Sequence, residues 1–242
     1  QEMKVLLRTG LVAYQDYGER SVTFHGAFQD GMVDVLDLGA PERVKEALGK
    51  LRATGGGDRA ECAEKAMEIA SRLNWTRADG NGERRCPETG LPVKCGVMVV
   101  TDAPPHGLGD DEDHHPQAAT DYVAQVDKFA AMDVPCHTFG VREFQKSKVA
   151  AGAYQLMAKR SGGRLVRMES LLQDTHGEEE KCERLVKFFC NTILLEFEME
   201  AILQQLTTMQ LPDASAMQQM AVSMLAQRTE ELNISSLDGD DV

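Results

Sequence analysis

The chain has 242 residues, of which 42% are hydrophobic and 27% charged, a composition that is ordinary for a folded globular protein. Its formal net charge of −13 argues against nucleic acid and anionic membrane surfaces as partners, because both reward Lys and Arg. No apolar run approaches the roughly 20 residues of a membrane-spanning helix, and no signal-peptide pattern is present. We therefore expect a cytoplasmic protein.

The cysteines support the same expectation. The chain has six of them, at positions 62, 86, 95, 136, 182 and 190. None is in a Cys-x-x-Cys pair, which zinc sites commonly use, and a chain of this length does not need disulfides to be stable. We expect thiols in a reducing compartment.

The first part of the chain predicts a hairpin followed by two helices. Residues 5–14 contain a strand, and residues 20–28 alternate β-forming side chains, so they are the expected hairpin partner. Pro41 opens a helix to about residue 51, since Pro is favoured in a first turn. After three glycines at 55–57, apolar residues at helical spacing predict an amphipathic helix over 58–75.

The rest of the chain alternates strands and helices. A polar insertion is predicted at 76–93, strands at 96–101, 136–141 and 164–168, a polar loop at 106–116, and helices at 118–132, 148–160 and 178–206. This alternation predicts an α/β fold with a doubly wound, mainly parallel sheet and helices on both faces. The domain is expected to cover residues 1–208. An acidic tail over 209–242, weakly helical or solvated, follows it.

Asp102 is the residue that says most about function. It ends the apolar run Gly96–Thr101, which is typical of a buried parallel strand, and a proline-containing loop follows. Ligands of open α/β sheets bind at this edge. Asp58, after the three glycines, is a second acid in a loop, and two such carboxylates suit a hard cation. Alternatively, Asp58 is simply the N-cap of the helix that follows it.

Four stretches resemble the von Willebrand factor A-type domain. They are Gly10–Asp16, Thr54–Glu61, Val99–Gly107 and Ser161–Arg164, and their order and spacing are more specific than any one of them. The variant with Gly-Gly-Gly-Asp and Thr-Asp-Ala-Pro-Pro-His-Gly is most similar to the A-type domains that accompany atypical α-type protein kinases.

The resemblance implies a metal-ion-dependent adhesion site at the top of the sheet. In that family a Mg²⁺ or similar ion takes an acidic group of a partner protein as its last ligand. For this chain the resemblance implies Mg²⁺, Mn²⁺ or Ca²⁺. Asp102 matches the family's fourth-strand Asp. Asp58 is at the second-loop position, where most relatives have Thr, and Thr54 is a weaker candidate nearby.

One family motif is missing. No Asp-x-Ser-x-Ser turn occurs in the chain, and counting back from Gly10 places the family's first strand and helix upstream of Gln1. We therefore expect an N-terminally incomplete A-type domain that binds a divalent ion weakly. The alternative is a divergent domain that has lost the site.

The expected function is a protein-interaction module, regulatory in a larger kinase-like protein, that binds a partner through this ion. Enzyme signatures are absent, so any kinase activity would lie outside the chain. The alternatives are a metal-dependent hydrolase using Asp102, Asp58 and His106, and a metal-independent scaffold. The acidic segment 109–115 is expected to be a solvated, mobile loop. Its functional alternative is to capture an additional metal ion or to contact a basic partner. His106 is expected to orient the loop after Asp102.

Overall fold

The structure is a computed structural model in which most of the chain up to residue 168 is described. The described ranges there are 7–17, 33–51, 59–77, 83–87, 89–115, 120–141, 144 and 146–168. Beyond them, the description covers 172, 177, 179–181, 183–185, 187–188, 191 and 223. The chain divides into two compact units, Gln1–Leu165 and Val166–Val242.

The first unit begins with an antiparallel hairpin. Strand β1, Thr9–Tyr14, pairs with strand β2, Val33–Gly39, with an irregular register between Thr9 and Leu11. A Cβ at Gly10 would lie 2.9 Å from the Leu36 carbonyl oxygen, so glycine permits the close approach of the two strands there. The sequence predicted β1 but not β2. The expected partner at 20–28 lies outside the described residues.

Two helices follow, and the second corrects an expectation about Asp58. Helix α1, Pro41–Lys50, begins at the predicted proline. Helix α2, Ala63–Ala70, has Cys62 at its N-cap position, well after the predicted start at residue 58. Asp58 is therefore not the N-cap of α2, so that alternative is wrong. Asp58 itself lies outside the described residues.

The remaining elements of the first unit alternate as predicted. They are strand β3, Val97–Thr101, helix α3, Tyr122–Ala131, strand β4, Cys136–Gly140, helix α4, Lys148–Ser161, and strand β5, Leu165–Arg167. The sheet has the order β3-β4-β5, and β3 pairs with β4 in parallel, with Val97 opposite Cys136. The fold is therefore mixed α/β, with parallel strands joined through helices. The boundary between the two units falls within β5.

The hydrophobic core of the first unit lies between α2, α3, α4 and β4. Its fully or nearly fully buried members include Met67, Tyr122, Phe129, Cys136, Tyr154 and Met157. Strand β4 is buried at all five positions. Burial of these large side chains removes apolar surface from water, which is the main stabilising contribution to a core of this kind.

Strand β3 differs from its prediction as a buried strand. Val97 and Val99 pack against the core, whereas Met98 and Val100 are 46% and 54% exposed. Successive side chains of a strand point to opposite faces, so one face of β3 contacts the core and the other contacts solvent. The expectation that β3 is buried on both faces is therefore wrong.

The second unit is described only in short pieces. The described residues between 179 and 191 are helical, as the helix predicted over 178–206 requires. The predicted domain end at 208 and the tail over 209–242, Ser223 excepted, lie outside the described residues. No helix in the described part of the chain is long and apolar enough to cross a membrane.

Candidate functional site

Asp102 lies where the sequence places it. It follows β3 directly and its side chain is exposed, at the carboxyl end of a strand in a parallel pair. Burial of the Tyr14 phenol raises its pKa to about 12, and the negative charge of Asp102 also raises it. The other two predicted ligands, Thr54 and Asp58, lie outside the described residues.

The loop after Asp102 is tied to the segment before α2. The Glu61 backbone N–H donates to the Pro104 carbonyl at 3.0 Å, and Glu61 and Pro105 form an isolated parallel bridge. Thr101 adds a local turn, because its Oγ1 donates to the Ala103 carbonyl at 3.1 Å. These backbone contacts fix the start of the loop.

His106 is the centre of this loop and is almost fully buried, at 1% exposure. Its Nδ1 lies 2.8 Å from Asp113 Oδ1, and its Nε2 lies 2.8 Å from Asp16 Oδ1. Asp113 also accepts hydrogen bonds from the backbone N–H groups of Gly107 and His115, at 2.8 and 2.7 Å. The imidazole thus lies between two buried carboxylates, and a doubly protonated ring donates to both.

The charges around His106 set the direction of its pKa. Burial alone lowers the pKa of the imidazole, but the hydrogen bonds to Asp113 and Asp16 and the charge of Glu64 outweigh it, so the pKa is raised. Burial raises the pKa of Asp113, but the bonds from His106, Gly107 and His115 outweigh that effect and lower it. Both shifts favour the imidazolium form of His106 and the carboxylate form of Asp113.

Glu64, in the first turn of α2, also contacts the group formed by His106, Asp16 and Asp113. Its side chain is fully buried, Oε2 accepts from the His106 backbone N–H at 3.2 Å, and Oε1 accepts from the Tyr17 hydroxyl at 3.2 Å. Burial raises the pKa of this carboxyl group. Glu64 therefore connects the loop after β3, the turn after β1 and the helix.

Cys62 completes the cluster. It is fully buried at the N-cap position of α2, and its Sγ, a carboxylate oxygen of Asp16 and a ring nitrogen of His106 all lie within 4.8 Å of one another. Among the described residues, this is the group of three or more potential ligands that could hold a metal ion. Thiolate, imidazole and carboxylate together suit Zn²⁺ or a similar ion, whereas Mg²⁺ and Ca²⁺ prefer oxygen ligands.

The same residues do not form an activated nucleophile. Burial raises the pKa of the Cys62 thiol, and the negative charges of Glu64 and Asp16 raise it further. Catalytic cysteines have the opposite environment, with a lowered pKa and partial exposure. Both ring nitrogens of His106 face carboxylates, so this geometry gives no support to His106 as a base in a hydrolase.

Part of the acidic segment 109–115 is buried against the protein, so the expectation that this loop is solvated is wrong for its acids 110 and 113. Asp110 is 8% exposed and lies 3.5 Å from Arg59, which also pairs with the exposed Glu112. The Ser147 hydroxyl, at the N-cap of α4, donates to Asp110 at 3.4 Å.

Comparisons with known proteins give no relative. No protein-family model, curated protein or solved structure matches the chain. The resemblance to the A-type domain therefore stays a prediction.

Sequence reasoning placed Asp102 after a strand and predicted that His106 orients the following loop. It missed Asp16, Cys62, Glu64 and Asp113 as neighbours of His106. Asp16 and His106 are 90 residues apart in the chain, and no short motif joins them. The available signal was the position of Asp16, directly after a predicted strand. Polar residues that follow different strands of a sheet often meet at one edge.

Proposed function

We propose that this chain is a protein-interaction module with the doubly wound organisation of an A-type domain. Its binding edge is the loop after β3, and a divalent cation at Asp102, Mg²⁺ or alternatively Mn²⁺ or Ca²⁺, contacts an acidic group of the partner. The observation that carries the proposal is the exposed carboxylate of Asp102 at the carboxyl end of a parallel strand.

The support beneath Asp102 favours a binding edge over a flexible loop. Glu61 holds Pro104 and Pro105 through the backbone, and His106 is fixed between Asp16 and Asp113. A binding site built on such a supported loop loses little conformational entropy when a partner binds. This rigidity is what an interaction site requires.

The ligand chemistry at Asp102 fits a hard cation only in part. One exposed carboxylate is an oxygen donor of the preferred type, but among the described residues Asp102 belongs to no group of three or more His, Cys, Asp or Glu side chains that could hold an ion. We propose Asp58 and Thr54 as further ligands. With so few donors the affinity of this chain for Mg²⁺ is weak.

Calorimetric titration with Mg²⁺ and Mn²⁺ tests the proposal. The chain is expected to bind one ion weakly, and Asp102→Ala is expected to abolish the heat of binding. The matched control is Asp127→Ala, because Asp127 is an exposed aspartate on α3, paired with Arg160, and lies in a different element. This variant is expected to bind like the original chain.

Two outcomes would overturn the metal-mediated function. If neither ion binds, a metal-independent scaffold is the better description of the chain. If Asp102→Ala binds both ions with unchanged affinity, the ion lies elsewhere and Asp102 has no part in it.

A further inference from the structure

We propose that Asp16, Cys62 and His106 form a buried site for Zn²⁺ or a similar borderline divalent ion such as Co²⁺. The site is separate from the ion proposed at Asp102 and does not depend on it. Its ligands would be a carboxylate oxygen of Asp16, the Cys62 thiolate and Nε2 of His106.

The distances are close to those of a zinc site. Zinc binds oxygen and nitrogen at about 2.0–2.2 Å and sulfur at about 2.3 Å, so tetrahedral ligands lie roughly 3.3–3.8 Å apart. The three candidate atoms lie within 4.8 Å of one another. Asp16 Oδ1 and His106 Nε2 are closer, at 2.8 Å, because a proton lies between them. Replacing that proton with an ion requires the two atoms to separate by about half an ångström.

A second carboxylate already orients the imidazole as zinc sites require. Histidines that ligate a metal usually donate their other N–H to a carboxylate or carbonyl, which fixes the ring and its tautomer. Asp113 Oδ1 accepts from Nδ1 of His106 at 2.8 Å, and Asp113 is itself held by two backbone N–H groups. This leaves Nε2 directed at Asp16.

The exchange of protons for metal balances in charge. With both ring nitrogens of His106 protonated, the three ligands before binding are an Asp16 carboxylate, an imidazolium and a Cys62 thiol, which together have no net charge. Binding of Zn²⁺ releases one proton from Nε2 and one from the thiol, and the ligands with the ion again have no net charge. The buried site therefore gains an ion without a new uncompensated charge, which would be costly at this depth.

The three ligands come from three separate segments. Asp16 follows β1, Cys62 precedes α2, and His106 is in the loop after β3. An ion bound by all three would clamp these segments together, so metal binding would add directly to folding stability. Tyr17 and His115 pack against the His106 ring, with ring centroids 5.0 and 5.4 Å away.

Cobalt provides a direct spectroscopic test. The chain is treated with a chelator, which is then removed, and Co²⁺ is added while the absorption spectrum is recorded. One equivalent is expected to produce a thiolate-to-cobalt charge-transfer band. Addition of Zn²⁺ is expected to abolish it. If the folded chain gives no such band, the proposal is wrong and the residues are a buried hydrogen-bond network only.

Variants identify the ligands. Cys62→Ser is expected to lose the charge-transfer band, whereas Cys136→Ser, a change at another buried cysteine, keeps it. Asp113→Asn retains all three ligands and is expected to weaken Zn²⁺ binding about 10- to 100-fold. Asp102→Ala is expected to leave the spectrum unchanged, which separates this site from the proposed adhesion site. A charge-transfer band that survives in Cys62→Ser would overturn the assignment.

Discussion

Ser161 connects the end of α4 to the start of β4 through one hydroxyl group. Its Oγ donates to the Met157 carbonyl at 2.8 Å and accepts from the Cys136 backbone N–H at 2.9 Å. Cys136 is fully buried, so water cannot replace this acceptor. A single small side chain therefore satisfies a backbone donor in the core, where an unmade hydrogen bond is costly.

Ser161→Ala removes that acceptor and is expected to lower the free energy of unfolding by about 1–3 kcal/mol. Urea denaturation followed by circular dichroism measures the change. Ser71→Ala is the control, because the Ser71 hydroxyl also donates to a helical carbonyl, that of Glu68, but at a half-buried position. Its loss is expected to stay below about 1 kcal/mol. Equal losses in the two variants would contradict this account.

At the scale of residues, local patterns along the chain were easier to predict than contacts between distant segments. Asp102 was found because the change from an apolar run to a loop is a local pattern. The Asp16–Cys62–His106 cluster was not, because it depends on which segments the fold brings together. Asp58 shows the same limit: its proposed capping role failed because α2 begins only after Cys62.

Among the elements, the turn from α4 to β5 depends on two glycines. Gly162 has a φ of 79°, in the left-handed region, and ends the helix as its C-cap. A Cβ on Gly163 would lie 2.0 Å from the Cys136 carbonyl oxygen, so the backbone of this turn lies directly against β4. The Arg164 carbonyl then accepts from the Thr138 N–H at 2.7 Å and starts the next strand pairing.

Gly163→Ala is expected to destabilise the protein by at least about 2 kcal/mol, because backbone atoms of β4 would have to move. Gly152→Ala is the control, a second Gly→Ala change that is expected to have the opposite effect on stability. Gly152 lies within α4, is exposed and has open space around a Cβ, so alanine is expected to stabilise the helix by up to about 1 kcal/mol. Urea denaturation of both variants tests the pair. A neutral Gly163→Ala would show that the turn is not packed as described.

The elements themselves were largely predictable, and the errors have physical causes. Helices α1 and α4 and strands β3 and β4 lie within a residue or two of their predicted ranges, because their periodicity is strong and Pro and Gly mark their ends. Strand β2 was missed because Asp34 and Asp37 lower its strand propensity. Asp34 is nevertheless fully buried, its carboxylate accepting from the Val35 N–H at 3.0 Å.

In the molecule as a whole, two buried histidines make contributions to folding stability that change in opposite directions with pH. His106 has a raised pKa, so its contribution is present below the unfolded value of about 6.5 and is lost as the pH rises through the folded pKa. His137, on β4 and 4% exposed, has its pKa lowered to about 4 by burial and by the charge of Arg164. Its contribution is present above about pH 6.5 and is lost as the pH falls toward about 4.

His137→Gln separates the two effects, because glutamine does not titrate. The unfolded chain protonates His137 between about pH 6.5 and pH 4 while the folded chain does not, so the original protein loses up to about 3 kcal/mol there that the variant keeps. Urea denaturation near pH 7 and near pH 4.5, with a chelator present, gives this difference. At the lower pH the stability difference between variant and original should shift by up to about 3 kcal/mol in favour of the variant, whatever the cost of the substitution at neutral pH. A stability difference between His137→Gln and the original chain that is the same at both pH values would contradict a neutral, buried His137.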